Sequence, residues 1–104
     1  MDFGLRPQDL TEIIEMIRQF SDIEEAVIFG SRAKGNYKKG SDVDIAIKGK
    51  KISREDVALL ADLLNEESAL PYYFDIVHYD GIAEKELTEH IDRVGKSIYL
   101  REVS

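Results

Sequence analysis

A chain of 104 residues, 43% hydrophobic and 34% charged, is long enough for one core and too short for two, and its composition excludes a disordered polymer. With no cysteine it has no disulfide, no thiolate nucleophile and no zinc–thiolate site, and a net charge of -7 argues against direct nucleic-acid binding. No apolar run approaches a membrane span and no basic-then-apolar leader opens at Met1-Asp2-Phe3-Gly4, so the expectation is a cytoplasmic protein with no membrane partner, one domain over residues 1–104.

Leu10, Ile13, Ile14, Ile17 and Phe20 recur at helical spacing, with Pro7 fitting the first turn. Ala26-Val27-Ile28-Phe29 predicts a short strand ending at Gly30. Residues 31–41, with Gly35, Asn36, Gly40 and several lysines, predict a short helical turn and a loop. A second strand is expected over 42–48, closed by Lys48-Gly49-Lys50-Lys51. Ser53 and Asp56 have the spacing of a capping box, ahead of a helix whose inner stripe is Val57, Leu60, Ala61 and Leu64. Pro71 ends that region, and 72–79 is rich in β-formers. Asp80 is the expected cap of a last helix facing inward through Ile82, Leu87, Ile91 and Val94, with Gly95 as its stop. Ser97-Ile98-Tyr99-Leu100 predicts an edge strand, so helices and strands alternate in an α/β chain.

The chemistry gathers around Ser41-Asp42-Val43-Asp44. Two carboxylates two residues apart on a strand share one face, with Cα atoms ~6.6 Å apart, while Val43, Ile45 and Ile47 turn to the core. Like charges that close raise each other's pKa unless something positive intervenes, and a divalent metal is the obvious neutraliser. The Gly30-Ser31 turn, rich in backbone N–H groups, is placed to hold phosphates bound by such a metal. From Arg32 to Lys51 seven basic residues accompany only Asp42 and Asp44, a net +5 in a chain whose remainder is -12. That pattern predicts a polyanion site built around a metal. Asp75, within Tyr73-Phe74-Asp75-Ile76-Val77, is a third acid in an apolar strand. If that strand neighbours the second, three carboxylates converge. His78 and His90 have no partner at ligand spacing, and Tyr72 and Tyr73 read as packing residues. Tyr37, in the basic loop, is the better aromatic candidate near a base.

Gly30-Ser31, a spacer, Asp42-Val43-Asp44 and the distant Asp75 together resemble the nucleotidyltransferase superfamily of DNA polymerase beta, and most closely its minimal nucleotidyltransferases. The turn Gly30-Ser31-Arg32-Ala33-Lys34-Gly35 carries lysine where many minimal members have a second arginine, which keeps the charge and loses the bidentate fork. The resemblance implies a polymerase-beta-like α/β (α+β) fold, a small mixed sheet flanked by helices. It implies that Asp42 and Asp44 hold Mg²⁺ on the triphosphate of ATP, and that Asp75 helps hold a second ion and favours deprotonation of the attacking hydroxyl. Gly30, Ser31, Arg32 and Lys34 would contact the nucleotide. Minimal members commonly pair with a helical HEPN-type toxin, so the implied activity is transfer of AMP to a hydroxyl of that partner, with this chain as the antitoxin. A transferase for a small hydroxylated molecule such as an aminoglycoside, and a non-catalytic module that sequesters its partner, are the alternatives.

Overall fold

The computed structural model describes residues 3–102; Met1 and Asp2, within the segment expected to lack a leader, and Val103 and Ser104 lie outside the described residues. The elements are α1 (Pro7–Arg18), β1 (Glu25–Phe29), α2 (Gly30–Lys34), β2 (Val43–Lys48), α3 (Arg54–Asp62), β3 (Phe74–His78), α4 (Lys85–Val94) and β4 (Lys96–Leu100). A π-helical turn, Leu63–Glu67, continues α3, and a 3₁₀ turn, Tyr79–Gly81, follows β3. The four strands form one mixed sheet in the order β3-β2-β1-β4. The central β1 is antiparallel to both β2 and β4, and β2 is parallel to β3. A parallel pair needs a crossover, and α3 supplies it.

Each face of the sheet has its own cover. Ile28, Val43, Ile45, Ile47, Phe74 and Ile76 pack with Ile13 and Ile17 of α1 and with Leu60 and Leu64, in the stripe expected of α3. The other face carries a smaller cluster, Val27, Phe29 and Ala46 against Ile91 of α4. The capping box forms as expected: Ser53 Oγ accepts from the Asp56 N–H at 3.0 Å, and Asp56 Oδ2 accepts from the Ser53 N–H at 3.0 Å. β4 is an edge strand, with a register shift opposite Ala26 and Val27.

Three local expectations are corrected. β2 begins at Val43 rather than 42, so Asp42 is the last residue before the strand. The third strand is shorter than 72–79, because Tyr79 enters the 3₁₀ turn. Asp80 does not cap α4: its Oδ2 accepts the Gly49 N–H at 2.7 Å, and the helix starts later behind Glu84. Gly95 does end α4, but at φ -64°, an angle open to any residue. Space is the reason for glycine there, since a Cβ would stand 2.5 Å from Val27 Cγ1.

Asn65 has a role that its sequence context does not announce. Its Oδ1 accepts the Phe74 N–H at 2.7 Å and its Nδ2 donates to the Phe74 carbonyl at 2.9 Å. One amide thus replaces a strand neighbour on the free edge of β3, where unpaired backbone would invite another chain. Asn65→Asp keeps the acceptor and turns the donor into a second acceptor facing a carbonyl. Urea denaturation is expected to give a loss of about 1–3 kcal/mol, the range for an unsatisfied buried polar group.

Candidate active site

The parallel register sets Asp44 of β2 directly beside Asp75 of β3. Both alternate with core residues, Val43 and Ile45 on one strand, Phe74 and Ile76 on the other. They therefore share the face that carries Ala46 and Val77. Asp42, one residue ahead of β2, falls on the same face by alternation. Just after it, the Val43 N–H donates to the Tyr73 carbonyl at 2.8 Å. Asp42 and Asp75 are exposed and Asp44 is half-buried, so the acids form a ledge at one end of the sheet. Among the described residues no three acids or histidines are gathered tightly enough to hold an ion together. The three carboxylates share a face, and Asp75 and Asp42 both lie near enough to act on the charge of Asp44.

Asp44 is the electrostatic centre of the ledge. Burial pushes its carboxyl up to about 6, with the charges of Asp75 and then Asp42 adding to the effect. Every one of these influences disfavours the ionised form, which is the signature of a negative cluster without its own counter-ion. On the other side of Asp44 stands Phe29, its partner on β1, and the chain then turns at Gly30. Gly30 has φ +72°, and a Cβ there would fall on the Asp44 carboxylate, whose Cγ is 3.2 Å away. Glycine is thus required both by backbone angle and by the closeness of the acid. Ser31 follows in α2, which ends where the Gly35 N–H bonds the Ser31 carbonyl at 2.9 Å with Gly35 at φ +87°.

The basic residues divide. Lys34 is exposed at the end of α2, eight residues before Asp42. Lys48 lies at the far end of β2, four residues and ~13 Å beyond Asp44. Its ammonium sits 4.5 Å over the Tyr79 ring and 3.9 Å from Glu25. The basic island of the sequence is therefore two groups, Arg32 to Lys39 before β2 and Lys48 to Lys51 at and beyond its far end.

Arg32 is not a free cation on this ledge. It is buried, donating to the Ser41 carbonyl through Nε at 3.1 Å and Nη2 at 2.8 Å, and to the Phe3 carbonyl through Nη1 at 2.9 Å. The placement departs from the phosphate contact expected of Arg32. Tyr37 departs from its expectation too: its ring covers the Arg32 guanidinium at 5.3 Å instead of standing open to a base. The Tyr72 ring also stands by the guanidinium, at 5.2 Å, and its hydroxyl donates to Asp9 at 2.6 Å. The sequence reasoning missed Asp9, a buried carboxylate held below the usual range by hydrogen bonds from Arg6 and Tyr72. A signal was available, since Asp9 stands four and eight residues before Ile13 and Ile17, on the buried stripe of α1. His78 bonds the Gly49 carbonyl at 2.9 Å, and His90 packs edge-on against Phe29.

The sequence matches the family described as "Polymerase beta, Nucleotidyltransferase" over residues 11–103, and the chain belongs to that family of nucleotidyltransferases. Similar solved structures share the fold. A chain of a toxin–antitoxin crystallised with AMP-PNP superposes with TM-score 0.75 at 25% identity, covering 90% of this chain and 75% of that one. A chain of the MntA–HepT toxin–antitoxin gives TM-score 0.70 at 22% identity, covering 92% and 74%. A chain from the complex of tri-AMPylated Shewanella oneidensis HEPN toxin with MNT antitoxin gives 0.70 at 22% identity, covering 93% and 74%. Comparison with curated proteins gives no match.

Asp44→Asn removes the most strained charge, and its effect on stability depends on pH. A carboxylate whose pKa is raised by folding contributes most below its unfolded value near 4, and that contribution is lost as pH rises through about 6. Without added divalent metal, the variant is expected to melt higher than the parent at pH 7.5, by roughly 4–8 °C for each kcal/mol relieved. The difference should close by pH 4, where Asp44 is already neutral. Thermal melts of both proteins across that range are the check.

Proposed function

We propose that residues 1–104 act as one minimal transferase domain that moves AMP from ATP to a hydroxyl of a helical HEPN-type partner, as the antitoxin of a toxin–antitoxin pair. The observation that carries this reading is the in-register pairing of Asp44 with Asp75 beside the Gly30 turn, in a chain of the polymerase beta nucleotidyltransferase family. Two of its structural neighbours, one crystallised with AMP-PNP and one in complex with an AMPylated toxin, support the nucleotide and the acceptor class.

The donor set fits Mg²⁺. Hard cations take oxygen ligands, and Mg²⁺ uses one or two carboxylates and completes its shell with phosphate and water, so three protein ligands at one point are not needed. Asp42 and Asp44 would hold the ion, with Asp75 beside them for a second. When bound, Mg²⁺ supplies charge that balances the acids and the triphosphate together.

The chain's own residues have separable roles in this reading. Gly30 keeps the approach to Asp44 free of a side chain, and Ser31 offers its hydroxyl and N–H to phosphate oxygen. Lys34 faces the outer phosphates as a mobile point charge. The acceptor oxygen forms a bond to the α-phosphorus, the bond to the β-phosphate oxygen breaks, and pyrophosphate leaves. Asp75 stands at the exposed edge strand, where an incoming hydroxyl can reach it, and takes the proton. Positioning dominates such transfers, and a second protein would present the hydroxyl in line.

Intact-mass spectrometry of the partner after incubation with ATP and Mg²⁺ tests the reading. AMP-sized additions are expected, and Asp42→Asn or Asp75→Asn should abolish them with the thermal midpoint preserved. A partner that is bound and inhibited yet unmodified would establish the sequestering module instead. Modification of an aminoglycoside and not of the protein would establish the small-molecule transferase.

Mg²⁺ and ATP are further expected to bind with positive coupling, because each relieves the charge that opposes the other. Calorimetry should show tighter ATP binding in Mg²⁺ than in chelator, and the gain should shrink below pH 6 as Asp44 takes up a proton. Equal affinity in both titrations contradicts the assigned roles of Asp42 and Asp44.

A further inference from the structure

We propose that Arg32 is a positioning residue: it contacts no phosphate, and by gripping the Ser41 carbonyl it fixes where β2 begins and hence where Asp42 stands. This deepens the reading of Asp42 as a metal-holding acid and rests on it for its functional consequence, though the geometric claim can be measured independently.

The grip is built like a fixed joint. Two N–H groups of one guanidinium close on the single Ser41 oxygen at 3.1 and 2.8 Å, and a third reaches Phe3 at 2.9 Å. Arg32 is only 3% exposed, and its planar group stands within 5.2–5.3 Å of the Tyr37 and Tyr72 rings. Turning the guanidinium toward a phosphate would strip the Ser41 and Phe3 carbonyls of these bonds and take the cation away from both rings. The Tyr72 ring is itself pinned, because its hydroxyl donates to the buried Asp9, which Arg6 holds through two N–H groups at 2.9 Å each.

Two features point from this joint to the site. Ser41 is the residue before Asp42, and the next amide, Val43 N–H, is tied to Tyr73 on β3. Asp42 is therefore held between two fixed points one residue to either side. In addition, Gly4 has φ +74°, and a Cβ there would lie 2.5 Å from Tyr37 Cε2 and 2.9 Å from Arg32 Nη1. The amino-terminal segment is shaped to close the cage. Phe3, Gly4, Arg6 and Asp9 all precede residue 11, where the family match begins, so part of this joint is supplied from outside the matched span.

Arg32→Lys keeps the charge and loses the fork, and one ammonium cannot span what three N–H groups spanned. In the full-length chain, amide NMR signals of Ser41, Asp42 and Val43 are expected to shift, while those of Lys48 and β4 hold. The Mg²⁺ concentration needed for half-maximal ATP binding should rise about 10–100-fold, the usual effect of removing a group that orients a ligand. ATP affinity in chelator should hold. Lys34→Met is the converse control: it should weaken ATP binding in chelator and leave the 41–43 amides in place. If Arg32→Lys behaves like Lys34→Met, Arg32 is a phosphate contact and the proposal is wrong. If Arg32→Lys lowers only the melting temperature, with Mg²⁺ dependence per folded molecule unchanged, the residue is purely structural and the proposal is again wrong. Should Arg32→Lys not fold, Gly4→Ala, which crowds Tyr37 and Nη1 but keeps the guanidinium, must produce the same amide shifts and the same direction of Mg²⁺ dependence. A wild type that transfers no AMP overturns the proposed function, while the amide shifts and the Mg²⁺ titration still read the joint.

Discussion

Two carboxylates on adjacent parallel strands, held in register by the sheet, are the constraint around which the rest of this molecule is arranged. Asp44 and Asp75 are side by side because β2 and β3 pair Val43 with Phe74 and Ile45 with Ile76. Those flanking pairs are core residues, so the hydrophobic face enforces the pairing that the acids oppose. Slipping one strand by a residue would relieve the repulsion and expose the apolar set at once. Apolar burial at roughly 25 cal/mol per Å² over several large side chains outweighs a partly solvated like-charge contact.

The two faces of the sheet are covered unequally, and this explains why the acids can stand together at all. On one face α1 and α3 bury a continuous cluster. On the other, α4 packs Ile91 against Val27, Phe29 and Ala46 and so covers the sheet beyond the acids. What remains open is the ledge formed by Asp42, Asp44 and Asp75. Were the ledge covered by apolar side chains, the carboxylates would be fully desolvated and would have to neutralise; were it wholly open, water would screen them from each other. The intermediate burial of Asp44 leaves it ionised at neutral pH yet poorly solvated, with a pKa near 6. Such a group gains more from a bound cation than a free surface aspartate does.

Much of this was legible in the sequence where local rules apply. The stripes of α1 and α3, the capping box at Ser53 and Asp56 and the edge strand at the carboxyl end follow from spacing and from side chains within four residues of one another. The alternation that puts Asp42 and Asp44 on one face is equally local. Its completion by Asp75 required the pairing of β2 with β3, which the sequence posed only as a condition. Arg32, a positive charge between a Gly-Ser turn and two acids, reads as a phosphate contact on charge alone. Its actual partners are the carbonyls of Ser41 and Phe3, 9 and 29 residues away. Asp80 was misread: it has the composition of a helix cap, but the Gly49 N–H, 31 residues back, claims its carboxylate.

The division of labour among the cations follows from the same geometry. An arginine suits a buried joint, since its flat fork can satisfy several carbonyls while aromatic rings stand against it. A lysine suits an exposed position near a polyanion, where a flexible point charge can follow phosphates that move as a bond breaks. The chain has Arg32 where the backbone must be fixed and Lys34 two residues later, exposed. In a short helical turn, residues two apart point to different sides, one into the cage and one away from it. The Gly-Ser-Arg-Ala-Lys-Gly stretch thus combines a close approach at Gly30, a buried anchor at Arg32 and an exposed cation at Lys34.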